Sequence, residues 1–496
     1  MILRRTHTAV RRRTEPPASS SPPGGVLLAM CLGLMLSMLN STLVNVTMPQ
    51  IGAQLHASDS GLQWVADIYT LGYASLLLPG GALGNRIGRR PAFLGGVAVF
   101  LLGSLLCALA PDLPVLLVAR FVQAAGVASM LPQTLAILVH EYAEPAARAR
   151  AVGVWAGVAS LGLAAGPVIG GVIIAVADWR TGFALTCVVA VVALLLGRRA
   201  IPAASHGRPA DAGRVDLLGA VLGVLWPAAL VYALIEAGDI GWTAPGILVC
   251  YAVAALGLVA FGLSQRRRPS AAATGAPDSG APNTGAPKPG APTTPASPLM
   301  PLQLWRSRGF IAANAAGFCY FFTFFGVLFF YSLDLQRDLH LSALATGALF
   351  LPMTLCMAGL APVAGRLAAR LGTRTVLGTG LLVTALGCLA LAALPGHPAL
   401  PDLEWRMALL GAGAGLMSSP MSNAAVSSVP TEHSGTASAV HNTCRQIGST
   451  LGIALLGVLV HGPDFSAGLP SAMLLCAGLL LACAVTAFTL LARRAH

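Results

Sequence analysis

Apolar runs of about twenty residues, parted by short polar stretches rich in arginine, recur from residue 26 to residue 492. One helical crossing of a bilayer takes about 20 such residues, so the runs predict fourteen spans. They lie near 26–48, 62–83, 91–110, 114–140, 149–176, 181–197, 215–236, 244–264, 309–333, 343–368, 374–394, 403–426, 436–461 and 470–492. The expected fold class is an all-α integral membrane protein, with the lipid bilayer as its first partner.

Two segments break the pattern. The basic start followed by an apolar run has the outline of a signal peptide. Residues 26–48 are too long for a signal-peptide core and lack a convincing cleavage site, so they read as a retained first helix. From Pro269 to Pro298 the chain repeats Gly-Ala-Pro at Gly275, Gly280, Gly285 and Gly290. With no apolar face to bury, that segment predicts a disordered linker. The spans on either side echo each other. Gly81–Arg90 (GALGNRIGRR) aligns with Gly365–Arg374 (GRLAARLGTR) at an offset of 284 residues, 365 minus 81. Such a repeat marks two homologous bundles. The division expected is a disordered cytoplasmic tail at 1–25, a six-helix bundle at 26–200, two inserted helices at 201–268, the linker at 269–298, and a second six-helix bundle at 299–496.

Composition agrees with the pattern. Apolar residues make up 56% of the chain and charged residues 10%, with a mean hydropathy of +0.75; a soluble chain carries about 25% charge. The net charge of +12 does not point to nucleic acid, because the arginines gather in alternate loops. Arg86, Arg89, Arg90, Arg148, Arg150, Arg198, Arg199, Arg266, Arg308, Arg370 and Arg374 share one side with both termini. The other side holds Arg180, Arg337 and Arg406 beside acids such as Asp59, Asp112 and Asp402. By the positive-inside rule both termini are cytoplasmic and the protein belongs in a bacterial plasma (inner) membrane. The ten cysteines lie in apolar segments and form no CxxC pair, so neither a disulfide framework nor a metal site is expected.

Within the spans, a few polar and small residues stand out. Gly153, Gly162, Gly166, Pro167, Gly170 and Gly171 lie in a stretch without charge from Ala151 to Ala177. Gly162, Gly166 and Gly170 fall four apart on one helical face, which lets a neighbouring backbone approach closely. Ordinary helix packing would need the same stripe. Asp67 lies about one turn inside span two, where an idle carboxylate costs on the order of 3 kcal/mol; it is the proton-coupling candidate, set against an interfacial acid facing water. Arg120 in span four needs a partner, and Asp67 is the nearest expected. His441, Asn442 and Arg445 form a second intramembrane cluster, either lining a cavity or serving as a packing network. Asp334 reads as a solvated loop acid, while Glu236 and Asp239 reach the interface at the end of span seven. The aromatic residues of span nine read mostly as lipid-facing bulk, with some on the bundle face for a lipophilic ligand. No nucleophile constellation or phosphate-cradling loop appears, so no enzyme is expected.

Read in order, several segments resemble the fourteen-helix drug:proton antiporters of the major facilitator superfamily. LNSTLVNVTMP at 39–49 is similar to the family's first-helix motif, and Gly81, Asn85, Arg86, Gly88, Arg89 and Arg90 to its gating loop. Arg120, Gln123 and Gly126 resemble the fourth-helix motif, and the stripe from Gly153 to Gly171 the antiporter motif. Trp64, Asp67 and Tyr69 resemble a pattern of quaternary-ammonium pumps, and PLMPLQLWRSRGF at 298–310 resembles methylenomycin-resistance-type exporters. Asn40 and Asn85 stand where the family carries acids. The resemblance implies a major facilitator fold of two six-helix bundles plus two inserted central helices. It implies proton-coupled efflux of drugs or antibiotics by alternating access, with the proton as coupling ion, no other cofactor, and a monomer. The implied substrate is small and lipophilic or weakly cationic. The cavity candidates are Asn40, Asn45, Trp64, Tyr69, Gln123, His441, Asn442 and Arg445. Export of an endogenous metabolite is the alternative within transport, and a multi-span membrane sensor or enzyme is the alternative outside it.

Overall fold

Short capped turns reverse the chain after several of the apolar runs. Ser58, Asp112, Asp178 and Ser342 each accept a hydrogen bond from a backbone N–H of the helix they precede, satisfying donors that a helix start leaves open. The computed structural model describes residues 23–142, 144–203, 216–266, 302–394, 399–430, 434–460 and 465–491. The expected linker and all but the last three residues of the expected tail lie outside the described residues; residues 23–25 begin α1. Among those described there is no strand, and fourteen long helices follow one another. In the first half these are α1 (Pro23–Leu55), α2 (Asp59–Ile87), α3 (Arg89–Ala108), α4 (Leu113–Glu141), α5 (Pro145–Val176) and α6 (Trp179–Ala200). Next come α7 (Leu217–Ile240) and α8 (Pro245–Arg266). The second half holds α9 (Arg308–Arg337), α10 (Ala343–Leu371), α11 (Thr373–Ala392), α12 (Leu400–Ser427), α13 (Ser434–Val460) and α14 (Phe465–Leu490). The α10 helix is broken at Phe350, where Pro352 has no N–H to continue the ladder.

Twelve of these helices are long and apolar enough to cross a membrane on composition alone. The other two, α2 and α12, have the length with more polar residues. Leucines and valines such as Leu102, Val188, Leu256 and Val485 are half or more exposed around the perimeter, as a lipid-facing belt requires. Helices α1–α6 pack mainly among themselves, as do α9–α14. The α7–α8 hairpin lies against α2 of the first bundle and α13 of the second, closing the flank of the seam between them. The sequence repeat reappears as backbone geometry: Gly88 and Gly372 have φ of 96° and 88°. Each ends one helix and starts the next, in a conformation that costs only glycine nothing.

One expectation fails at this level. Phe321, Phe322, Phe324, Phe325, Phe329, Phe330 and Tyr331 of α9 are buried instead of facing lipid. Within its most apolar 18-residue stretch 94% of the residues are enclosed, because α13, α14, α12 and α1 all pack on it. Its aromatics pack edge to face, as Tyr320 does on Phe321 with centroids 5.1 Å apart and Phe329 on Phe330 at 4.9 Å.

Candidate functional site between the two bundles

Alternate loops place Arg86, Arg148, Arg198, Arg266, Arg308, Arg370 and Arg374 at one end of the helices, here the arginine end. The bundles touch at the opposite end. Arg337 at the close of α9 pairs with Asp59 at the start of α2. The Ser332 hydroxyl donates to the Asn45 carbonyl at 2.9 Å, and the Gln336 amide to the Val46 carbonyl at 3.1 Å. Midway along the helices the Thr450 and Thr70 hydroxyls lie 2.9 Å apart.

The glycine stripe of α5 serves two contacts at once. A Cβ on Gly166 would meet the Leu43 nitrogen at 2.9 Å, one on Gly170 the Leu43 carbonyl at 2.8 Å, and one on Gly162 the Met38 side chain at 3.2 Å. These three bind α5 to α1 within one bundle. A Cβ on Gly171 would lie 2.7 Å from the Ala343 carbonyl, and one on Gly347 2.6 Å from the Pro167 carbonyl, so the other face meets α10 across the seam. Gly153 has no atom within 4 Å and lies outside both contacts.

On helices that meet at the seam, buried polar groups without partners recur at several depths. Side-chain atoms of Ser37 and Asn40 on α1, Asp67 and Ser75 on α2, Asn314 on α9, and His441, Gln446 and Ser449 on α13 make no hydrogen bond. Buried polar atoms are nearly always paired, so such a set marks where a ligand, a proton or water acts. Asp67 is fully buried and neither carboxyl oxygen has a partner. It lies two turns into α2, deeper than the sequence suggested. Its face of the helix is set by its neighbours. Trp64 donates to Glu236 of α7 at 2.7 Å, Thr70 meets Thr450, and Leu71 packs with Val231, Leu234, Ile235 and Ala454. That face looks toward α7 and α13.

Arg120 does not pair with Asp67. Its Nε donates to the Val65 carbonyl at 3.1 Å and its Nη1 to Gln123 Oε1 at 3.1 Å, while Gln123 donates to Ser104 at 2.8 Å. The guanidinium also lies 4.4 Å from the Tyr69 ring centroid and 5.9 Å from that of Phe183. Residues 65 and 69 point roughly 200° away from residue 67 around the helix, which is why the expected pair does not form. Tyr69 and Gln123, expected in the cavity, instead satisfy Arg120 inside the first bundle. Asp334 likewise departs from the solvated role expected of it. It is 7% exposed and accepts a hydrogen bond from Ser466, which also lies 2.6 Å from Asp338.

The description Major Facilitator Superfamily belongs to the family model that matches residues 30–453 and again 313–496. The chain belongs to the major facilitator superfamily. It is 32% identical over 433 residues to the methylenomycin A resistance protein of Streptomyces coelicolor, covering 87% of this chain and 85% of that one. It is also 32% identical over 431 residues to the multidrug resistance protein Stp of Mycobacterium tuberculosis, covering 87% and 74%. Among solved structures it resembles a POT family transporter, with a TM-score of 0.68, 14% identity and 93% and 95% of the two chains covered.

Two features of this major facilitator protein stand at motif positions. In the gating loop Arg89 donates to the Ala136 carbonyl at 3.1 Å and Arg90 to the Arg198 carbonyl at 2.9 Å. The Arg90 guanidinium thereby caps the last turn of α6, where a cation is favoured, and that of Arg89 lies one turn short of the corresponding position on α4. Gly81 lies beside Pro132, Arg86 is exposed, and the Asn85 side chain is outside the described residues. Asn40, where the family carries an acid, is 2% exposed and its amide nitrogen is unpartnered. On α13, Asn442 accepts from Arg445 at 3.3 Å. Sequence reasoning missed Gln446, Ser449, Thr70 and Thr450. Ser449 extends the i, i+4 series of His441 and Arg445, while Gln446 and Thr450 extend that of Asn442 along the neighbouring face.

Proposed function

We propose that this chain exports small lipophilic compounds from a bacterial cell in exchange for protons, by alternating access between its two bundles. The arginine end and both termini then face the cytoplasm. Bundles joined from the far end to mid-membrane give a state closed to the outside. The observation that carries the reading is the set of unpartnered buried polar groups on the helices that meet at the seam, where both bundles can contribute to a ligand. The relatives named for resistance support export, since a membrane carrier protects a cell only by moving the drug out. In this reading Asp67 carries the coupling proton. Asn40 cannot titrate, so the acid position of the first-helix motif contributes no proton here. Opening outward would break the Asp59–Arg337 pair and the bonds of Ser332 and Gln336 to α1.

The test is export of a panel of antibiotics from a pump-deleted host expressing the chain. Accumulation should fall on expression and recover when a protonophore is added with ATP held constant. Export that survives the protonophore overturns proton coupling, and unchanged accumulation of every compound overturns efflux.

A further inference from the structure

Two arginines lie between helices of this protein, Arg120 fully buried and Arg445 half-buried, and their surroundings differ. Arg120 has two hydrogen-bond acceptors and two aromatic rings around it. Arg445 has one acceptor, Asn442 on its own helix, and the Phe321 ring with its centroid 4.1 Å away. Its Nε is buried and unpartnered, and none of the described ion pairs includes it. A cation removed from water without a counter-charge is costly, and a structure retains one where an anion arrives.

The groups beside it suit that anion. His441, one turn earlier, is 3% exposed with neither ring nitrogen partnered. His441 and Arg445 straddle Gly317 of α9, where a Cβ would lie 2.7 Å from one and 3.0 Å from the other. Tyr73 of the first bundle and Tyr320 of the second both lie within electrostatic reach of the guanidinium. Phe321 and its aromatic neighbours supply the apolar wall. Asp67 does not neutralise this site. It is three residues to the far-end side of Thr70, while Arg445 is five residues to the arginine-end side of Thr450. The two charges are thus separated by about 12 Å along the helices at 1.5 Å per residue.

We propose that Arg445 anchors the anionic group of the transported compound, so that the substrates of this chain are lipophilic acids and not the weakly cationic compounds the sequence suggested. A carboxylate, phenolate or enolate accepts from the guanidinium N–H groups that Asn442 leaves free, His441 adds a donor, and the aromatic wall of α9 holds the apolar body. The inference rests on the export reading for its physiological meaning, but the site itself is tested without transport.

The full-length protein in phosphatidylcholine nanodiscs would be titrated calorimetrically with 2-naphthoate and with 2-naphthamide, subtracting empty discs. The acid and the amide share shape and apolar area and differ in charge. The acid should bind about tenfold or more tightly than the amide. Arg445→Gln should erase that preference, and Arg445→Lys should keep part of it. Equal affinities in the wild type, no binding of naphthoate, or an acid preference that survives Arg445→Gln each overturn the proposal. Charge-selective binding without proton-driven export would overturn the export reading and leave the anion site standing.

Discussion

At the scale of single residues, the two buried ionic groups of the first bundle separate into different roles. The Asp67 carboxyl group has no hydrogen-bond partner and faces α7 and α13, so Asp67→Asn should abolish export driven by a pH gradient in proteoliposomes. Substrate counterflow at equal pH should persist, because it needs no net proton movement; gradient-driven export by the mutant would remove Asp67 from the coupling step. Arg120 is tied into its own bundle through Val65, Gln123 and Tyr69. Arg120→Gln should therefore act on stability, by about 1–3 kcal/mol for each buried acceptor left unpaired. The expected reading is a lower thermal midpoint with an unchanged proton dependence of whatever export remains. A normal midpoint with lost coupling would return Arg120 to the proton pathway. Both residues stand out in the sequence as costly intramembrane charges, but the 100° turn per residue decided that they face opposite ways.

At the scale of elements, the α5 stripe and the α7–α8 hairpin hold the seam. Gly166 lies where a side chain would collide with Thr42 and Leu43 of α1, while Gly153 faces open space. Gly166→Leu should reduce export by on the order of tenfold with insertion intact, since it alters helix approach more than hydrophobicity. Gly153→Leu should leave export near the wild-type level, and equal effects at both positions would demote the stripe to a compositional feature. The hairpin is pinned by the Trp64–Glu236 hydrogen bond at 2.7 Å and by Trp64 against Tyr232, with centroids 6.0 Å apart. Trp64→Phe keeps the ring and removes the donor, and should lower stability by about 1–2 kcal/mol, seen as a drop in thermal midpoint. The spacing of four made the stripe visible in the sequence, but not that its two faces touch two different bundles. Nor did Glu236, read as an interfacial acid, show that it would anchor the insertion.

At the scale of the whole molecule, the bundles are closed at the end away from the arginines. With the ten native cysteines replaced, a cross-link between Asp59→Cys and Arg337→Cys should form readily and halt export, with recovery on reduction. A cross-linked protein that still exports would show that this end does not open. Tags at either terminus should be inaccessible from outside intact cells; external labelling of one would reverse the assignment of the arginine end to the cytoplasm.

The sequence by itself determined the fourteen helices, their alternation and the twofold echo around Gly88 and Gly372. These depend on local quantities: run length against bilayer thickness, charge in short loops, and a backbone angle that only glycine adopts freely. Tertiary structure decided which polar groups are satisfied. Arg120 found two acceptors and Arg445 only Asn442 on its own helix, Asp334 met Ser466, and the aromatics of α9 turned inward because four helices surround it. A hydrogen-bond partner hundreds of residues away, such as Asn45 for Ser332, leaves no periodic trace in the chain, since it depends on how two bundles meet and not on how either is built.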